Sequence, residues 1–118
     1  MSLSQFKLLI DRLNREPKIP DKPTDDDIHD LRSRIDEIDS GLLALLNERS
    51  RTANIIGKIK RKLGLPIYVP KREEQVLDNM LQSNGGPLPD ASVRRLFERI
   101  IDETRSLERQ KYQNESDK

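Results

Sequence analysis

The sequence predicts an all-α subunit, a body of three helices with one long N-terminal helix, that associates with a second copy of itself. Three observations carry this. Ile28, Leu31, Ile35, Ile38, Leu42, Leu45, Arg49, Thr52, Ile56, Ile59 and Leu63 follow one another in alternating steps of three and four, the seam of a helix packed against a partner. No segment shows the two-residue alternation of a strand. Finally, a chain of 118 residues that is 36% charged and 33% hydrophobic has a thin core for a monomer, so self-association is the expected route to burial.

Taken in order, residues 3 to 16 place Phe6, Leu9, Ile10 and Leu13 at helical spacing, which reads as a small amphipathic helix. Pro17, Pro20 and Pro23 then fall within seven residues, forbid regular structure and mark a linker. Thr24 with Asp27 resembles a capping box, and Asp25 and Asp26 suit the positive end of a helix dipole, so the long helix should begin near Asp25 and end at Gly64. Residues 65 to 70 form a connection. Pro70 suits the first turn of a second helix over roughly 71 to 83, with Glu73, Val76, Leu77, Met80 and Leu81 facing inward. The "NGGPLP" stretch is a turn, and Asp90 is expected to cap a third helix with Val93, Leu96, Phe97, Ile100, Ile101, Thr104, Leu107 and Glu108 on one face. Residues 114 to 118 read as a frayed polar tail.

Composition narrows the chemistry. A net charge of +1, with basic and acidic residues interleaved, shows no phosphate-tracking stripe, and 3% aromatic content without tryptophan argues against a base-stacking platform. Nucleic acid is therefore not an expected partner. The absence of cysteine removes disulfides, thiol nucleophiles and Cys-ligated zinc, and the single His29, read as a solvated first-turn residue, removes a multi-histidine metal site. No apolar run approaches a membrane span and no secretory h-region is visible, so no membrane association is expected and the cytoplasm is the default location.

The seam carries cations where a coiled coil prefers leucine. Arg49 interrupts it, and Arg32 and Lys60 flank it beside Leu31 and Ile59. A buried guanidinium is costly unless an anion meets it, so Arg49 points either to an anionic ligand held within a helical bundle or to a structural pair with an acid such as Glu48 or Glu103. Arg49 and Lys60 lie about 16 Å apart along one helix face, within joint reach of a small ligand. Arg32 is about 42 Å from Lys60 along the same axis, and would join them only from an antiparallel second copy. Thr104 and Glu108 stand four residues apart on the buried face of the last helix; for Glu108 the competing reading is a helix-end residue reaching solvent.

These residues match a family. "LRSRIDEIDSGLLALLNERSRTANIIGKIK", followed by "YVPKREEQVL" and "LFERIIDE", closely resembles the all-helical (AroQ-class) chorismate mutases, including the mutase domains fused to DAHP synthases. The resemblance covers about residues 26 to 112. With the head, linker and tail read above, the chain divides into an amphipathic head and Pro-rich linker at 1–23, a chorismate mutase-like domain at 24–113, and a polar tail at 114–118. The resemblance implies an intertwined antiparallel homodimer of three-helix subunits with two active sites, converting chorismate to prephenate without a cofactor. By motif, Arg32 resembles the arginine donated across the interface, and Arg49 and Lys60 the cations of the in-subunit pocket. Arg72 and Glu73 resemble the pair opening the second helix, whose glutamate contacts the substrate hydroxyl. Thr104 stands where the family often has serine, and Glu108 where it has glutamine or glutamate. Val69 departs from a common aspartate, so the second contact to that hydroxyl is missing unless backbone amides serve there.

The chemistry is consistent with such an assignment. A pericyclic rearrangement of a small dicarboxylate needs no nucleophile, metal or proton relay, so the lack of cysteine is no objection. It needs the compact conformer of a flexible substrate and stabilisation of negative charge on the breaking ether oxygen. Arg32 and Arg49 would grip carboxylates bidentately. Lys60 and Glu108 would face the ether oxygen, with Glu108 as a neutral donor because its anion would repel that oxygen. Three other readings stand beside this one. An isochorismate-pyruvate lyase shares the fold and substrate type, but that family lacks the acid after the second-helix arginine, so Glu73 favours the mutase. A non-catalytic domain would sense chorismate or prephenate for a partner such as DAHP synthase or another shikimate-pathway enzyme, an association that the head and linker also accommodate. The third is a helical dimerisation module with solvated charges.

Overall fold

The computed structural model describes residues 1–116, and the side-chain surroundings of residues 1–110. The chain is all-helical, with α1 at Leu3–Leu13, α2 at Asp25–Leu63, α3 at Pro70–Ser83 and α4 at Asp90–Ser116, and no strand among the described residues. It divides into two compact units, Met1–Arg49 and Ser50–Lys118, so that α2 runs through both. No described helix is long and apolar enough to cross a membrane.

The first unit consists of α1, the linker and the first part of α2. A capping box opens α1: the Gln5 amide donates to Ser2 Oγ at 3.1 Å, and the Ser2 amide to Gln5 Oε1 at 2.7 Å. The helix stops at Leu13, short of the expected residue 16, with Asn14 as a C-cap still in helical conformation and Pro17 barring Glu16 from continuing the helix. Its docked stripe is Phe6, Leu9 and Leu13, with Leu9 only 3% exposed, while Ile10 falls to the edge and stays exposed. The seat for Leu9 is Gly41 of α2, where a Cβ would lie 2.7 Å from Leu9 Cδ2. Arg12 adds an ion pair to Glu37 at 2.6 Å, and Arg34 Nη1 donates to the Arg12 carbonyl at 3.4 Å.

Both ends of α2 are written in local chemistry. The Thr24 amide donates to Asp27 Oδ2 at 2.7 Å, and three aspartates fill the first turn against the helix dipole. At the other end Gly64 adopts φ +68°, which lets the Leu65 amide donate to the Lys60 carbonyl at 2.8 Å and the Gly64 amide to the Arg61 carbonyl at 3.2 Å. That double reversal is a Schellman stop, and a left-handed residue there favours glycine.

In the second unit α3 packs on α4. Val76, Leu77, Met80 and Leu81 are half-buried, and Val93 and Ile101 are buried. Leu96 is the exception on the expected face of α4, being exposed. The α3–α4 turn is organised by Asn84, whose Nδ2 donates to the Leu88 carbonyl and to Asp90 Oδ1, both at 2.8 Å, while its Oδ1 accepts from the Gly86 amide at 3.0 Å. Asp90 thereby serves as an acceptor for Asn84 in the first helical turn; the Pro89 carbonyl, receiving the Ser92 and Val93 amides, occupies the cap position expected for Asp90. Helix α4 also continues to Ser116, past the expected start of the tail, and residues 117 and 118 lie outside the described residues.

Among the described residues, Leu9, Val93 and Ile101 are the buried apolar side chains. The apolar members of the α2 seam, from Ile28 to Leu63, are each between 37% and 66% exposed.

Candidate active site

Lys60 lies in the last turn of α2, half-buried, with its Nζ donating to the Ile67 carbonyl of the following connection at 3.4 Å. The Gly64 stop fixes that turn, since the Lys60 carbonyl is itself one of its acceptors. Glu108, on α4, is half-buried, and its carboxyl carbon lies 3.9 Å from where a Gly57 Cβ would stand. Gly57 and Lys60 are three residues apart and so share a face of α2, which is the face the Glu108 carboxyl approaches. Thr104 is half-buried one turn before Glu108, its hydroxyl donating to the Ile100 carbonyl at 3.0 Å.

Val69 takes an extended backbone (φ −129°, ψ 95°) as the N-cap of α3 and supplies no side-chain cap. Its carbonyl accepts the Arg72 amide at 3.0 Å and the Glu73 amide at 3.4 Å, which pins the opening turn through the backbone alone. Arg72 is exposed and Glu73 half-buried. In the first unit, Arg32 is exposed and Arg49 half-buried. Of the acids weighed as structural partners for Arg49, Glu103 is paired with Arg99 at 2.6 Å on an exposed face of α4.

The residue that sequence reasoning passed over is Arg105. Its Nη2 donates to Glu73 Oε1 in a short ion pair between α4 and the first turn of α3. Its guanidinium carbon stands 4.5 Å from the centre of the Tyr68 ring, a cation–π distance. The hydrogen bond to Glu73 raises the Arg105 pKa above its ordinary value, against the opposing effect of desolvation. One signal was present: Arg105 is four residues beyond buried Ile101 and three before Glu108, so it belongs to the inward stripe.

An apolar groove of about 490 Å³ lies in the first unit, between linker residues such as Pro17, Ile19 and Pro20 and the start of α2 at Ile28 and Leu31. None of the candidate residues lines it. Of the candidate residues, Lys60, Val69, Arg72, Glu73, Thr104 and Glu108 belong to the second unit, and Arg32 and Arg49 to the first.

The helical frame, with Lys60, Glu73, Arg105 and Glu108 at half-buried positions, defines a class: a small all-α domain that carries ionisable side chains into half-buried positions. Comparison with known proteins makes it particular. The family model for chorismate mutase type II matches residues 31–109. The chain is 32% identical over 82 residues to the chorismate mutase of Methanocaldococcus jannaschii, covering 69% of this chain and 83% of that one. It is 40% identical over 88 residues to the bifunctional chorismate mutase/prephenate dehydratase of Aquifex aeolicus, covering 71% of this chain and 24% of the relative. The solved structure of chorismate mutase (Form II) from Thermus thermophilus superposes with a TM-score of 0.68 at 41% identity, covering 70% of this chain and 93% of that one. The chain belongs to the chorismate mutase type II family. It spans about a quarter of the length of the bifunctional relatives it matches.

Proposed function

We propose that this chain rearranges chorismate to prephenate. The observation that carries the reading is the family match over residues 31–109, which contains every candidate residue, with Lys60, Glu73, Thr104 and Glu108 half-buried. In the reaction the ether C–O bond breaks as a new C–C bond forms between the side-chain methylene and the ring. No atom is gained or lost, so the protein contributes conformation and electrostatics. Arg49, and Arg32 from a second copy, grip the two carboxylates. Lys60 and the neutral Glu108 carboxyl meet the charge growing on the ether oxygen. Glu73 accepts from the ring hydroxyl, Arg72 adds positive charge at the head of α3, and Thr104 fills the α4 wall. Val69 offers that hydroxyl no carboxylate.

The working form proposed is an intertwined antiparallel homodimer of subunits whose body is α2, α3 and α4. The exposed seam supports it: covering a half-exposed Ile or Leu is worth about 1 kcal/mol each, and nine such residues line α2. The relatives' names disfavour the lyase and the purely regulatory readings. Bifunctional relatives that join a mutase to prephenate dehydratase support association with another enzyme of aromatic biosynthesis, for which DAHP synthase is one candidate.

Mixing pure protein with chorismate tests the reading. Loss of chorismate absorbance with prephenate as product is expected. Pyruvate and salicylate from isochorismate would establish the lyase, and binding without turnover the regulatory domain.

A further inference from the structure

We propose that Arg105 is a positioning residue for the rearrangement: its ion pair holds the Glu73 carboxylate in the orientation that receives the substrate's ring hydroxyl, with Tyr68 steadying the guanidinium. The inference rests on the role of Glu73 in the proposed function and goes beyond it in assigning what aims that carboxylate.

Glutamate has three rotatable side-chain bonds, and an unguided Glu73 would spread its carboxylate over several rotamers, only one of which suits a fixed hydroxyl. Arg105 removes that freedom. It reaches across from α4, 32 residues away in sequence, and binds Oε1, leaving the second carboxylate oxygen to accept a ligand proton. The pair is sheltered, with side chains 33% and 28% exposed, so it is less screened than a surface bridge. The guanidinium is located in turn by Tyr68, in the connection two residues before Pro70. Arginine suits this task because its donors form a rigid plane that can stack and hydrogen-bond at once, which a lysine ammonium cannot. The need is sharpened at Val69, where no carboxylate shares the work of recognising the hydroxyl. Arg105 Nη2 is held by Glu73, the guanidinium lies over Tyr68, and Nε is buried without a hydrogen-bond partner among the described residues and so closed to a ligand, which leaves Glu73 as the group through which Arg105 acts.

The test is a double-mutant cycle of Arg105→Met and Glu73→Gln, with kcat/KM measured on chorismate and on an analogue whose ring hydroxyl is replaced by hydrogen, and thermal melts run alongside. Arg105→Met should lower kcat/KM on chorismate by about tenfold. The loss should shrink to less than about twofold in the Glu73→Gln background and on the deoxy analogue. Arg105→Lys, which keeps charge without the fork, should recover only part of the activity and should lose more on chorismate than on the analogue. That variant carries the test should Arg105→Met not fold. Equal losses in both backgrounds, or on both substrates, would overturn the proposal in favour of a purely structural bridge. A fully active Arg105→Met sinks it as well. A wild-type protein that turns over no chorismate is a different failure, which overturns the proposed function and takes this inference with it.

Discussion

Glu108 approaches α2 at a position that has no side chain, and the 3.9 Å between its carboxyl carbon and the vacant Gly57 Cβ direction leaves the acid on the face that bears Lys60. A carboxylic acid donates a hydrogen bond, whereas its anion repels a developing oxyanion. The proposed rate should therefore be highest at low pH and fall as pH rises. Glu108→Gln keeps a donor and removes the titration, so it should retain substantial activity and flatten the profile between pH 5 and 8. A wild-type profile already flat across that range, or an unchanged slope in the variant, would show that Glu108 does not titrate at the reacting oxygen. Residues of this kind are legible in a sequence because they break a pattern: Arg49 interrupts an apolar seam, and Glu108 sits on an apolar stripe. Arg105 breaks the inward stripe of α4 as Glu108 does, but nothing in that stripe names its partner. Its importance comes from Glu73, 32 residues away, and only packing of α4 against α3 brings the two together.

The helices were readable for a different reason. Their ends are set by local chemistry, by Thr24 and Asp27, by Gly64, by Pro70, and these act over a few residues regardless of tertiary context. Where a boundary or face depended on packing, reading fell short. Ile10 and Leu96 sit at helical spacing yet remain exposed, and the seating of α1 on Gly41 crosses a linker whose path no periodicity encodes. The two buried glycines of α2 allow a direct comparison. Alanine in place of glycine within a helix is worth about 1 kcal/mol from propensity. At Gly57 the new Cβ meets ordinary contact, so Gly57→Ala should raise stability by about that amount in chemical denaturation. At Gly41 it would collide with buried Leu9, so Gly41→Ala should gain much less, and amide exchange over α1 should quicken as the helix is pushed from its seat. Equal stabilisation by both substitutions would show that α1 does not depend on the Gly41 notch.

At the scale of the whole molecule the dominant fact is how little apolar surface one chain conceals: Leu9, Val93 and Ile101 among the described residues, against a seam left open along α2. The proposed homodimer covers that seam and brings Arg32 to a site it cannot reach within its own chain, given about 42 Å along the axis to Lys60. Mixing inactive Arg32→Ala and Lys60→Ala chains should then restore activity to roughly a quarter of wild type per site, because half the molecules formed by random exchange are heterodimers with one of two sites intact. No recovery, with exchange of subunits verified, would remove the shared site. The Gly64 stop has a further, thermal consequence. Lys60 belongs to the final turn of a 39-residue helix, the turn that frays first when no cap holds it, and here the cap is the bonded pair of amides at Gly64 and Leu65. Gly64→Val, which strains that cap, should therefore let heat detach the proposed ammonium before the fold as a whole gives way, so that the variant loses activity over a premelting range in which circular dichroism still reports an intact protein, while the parent chain keeps its activity up to the melt.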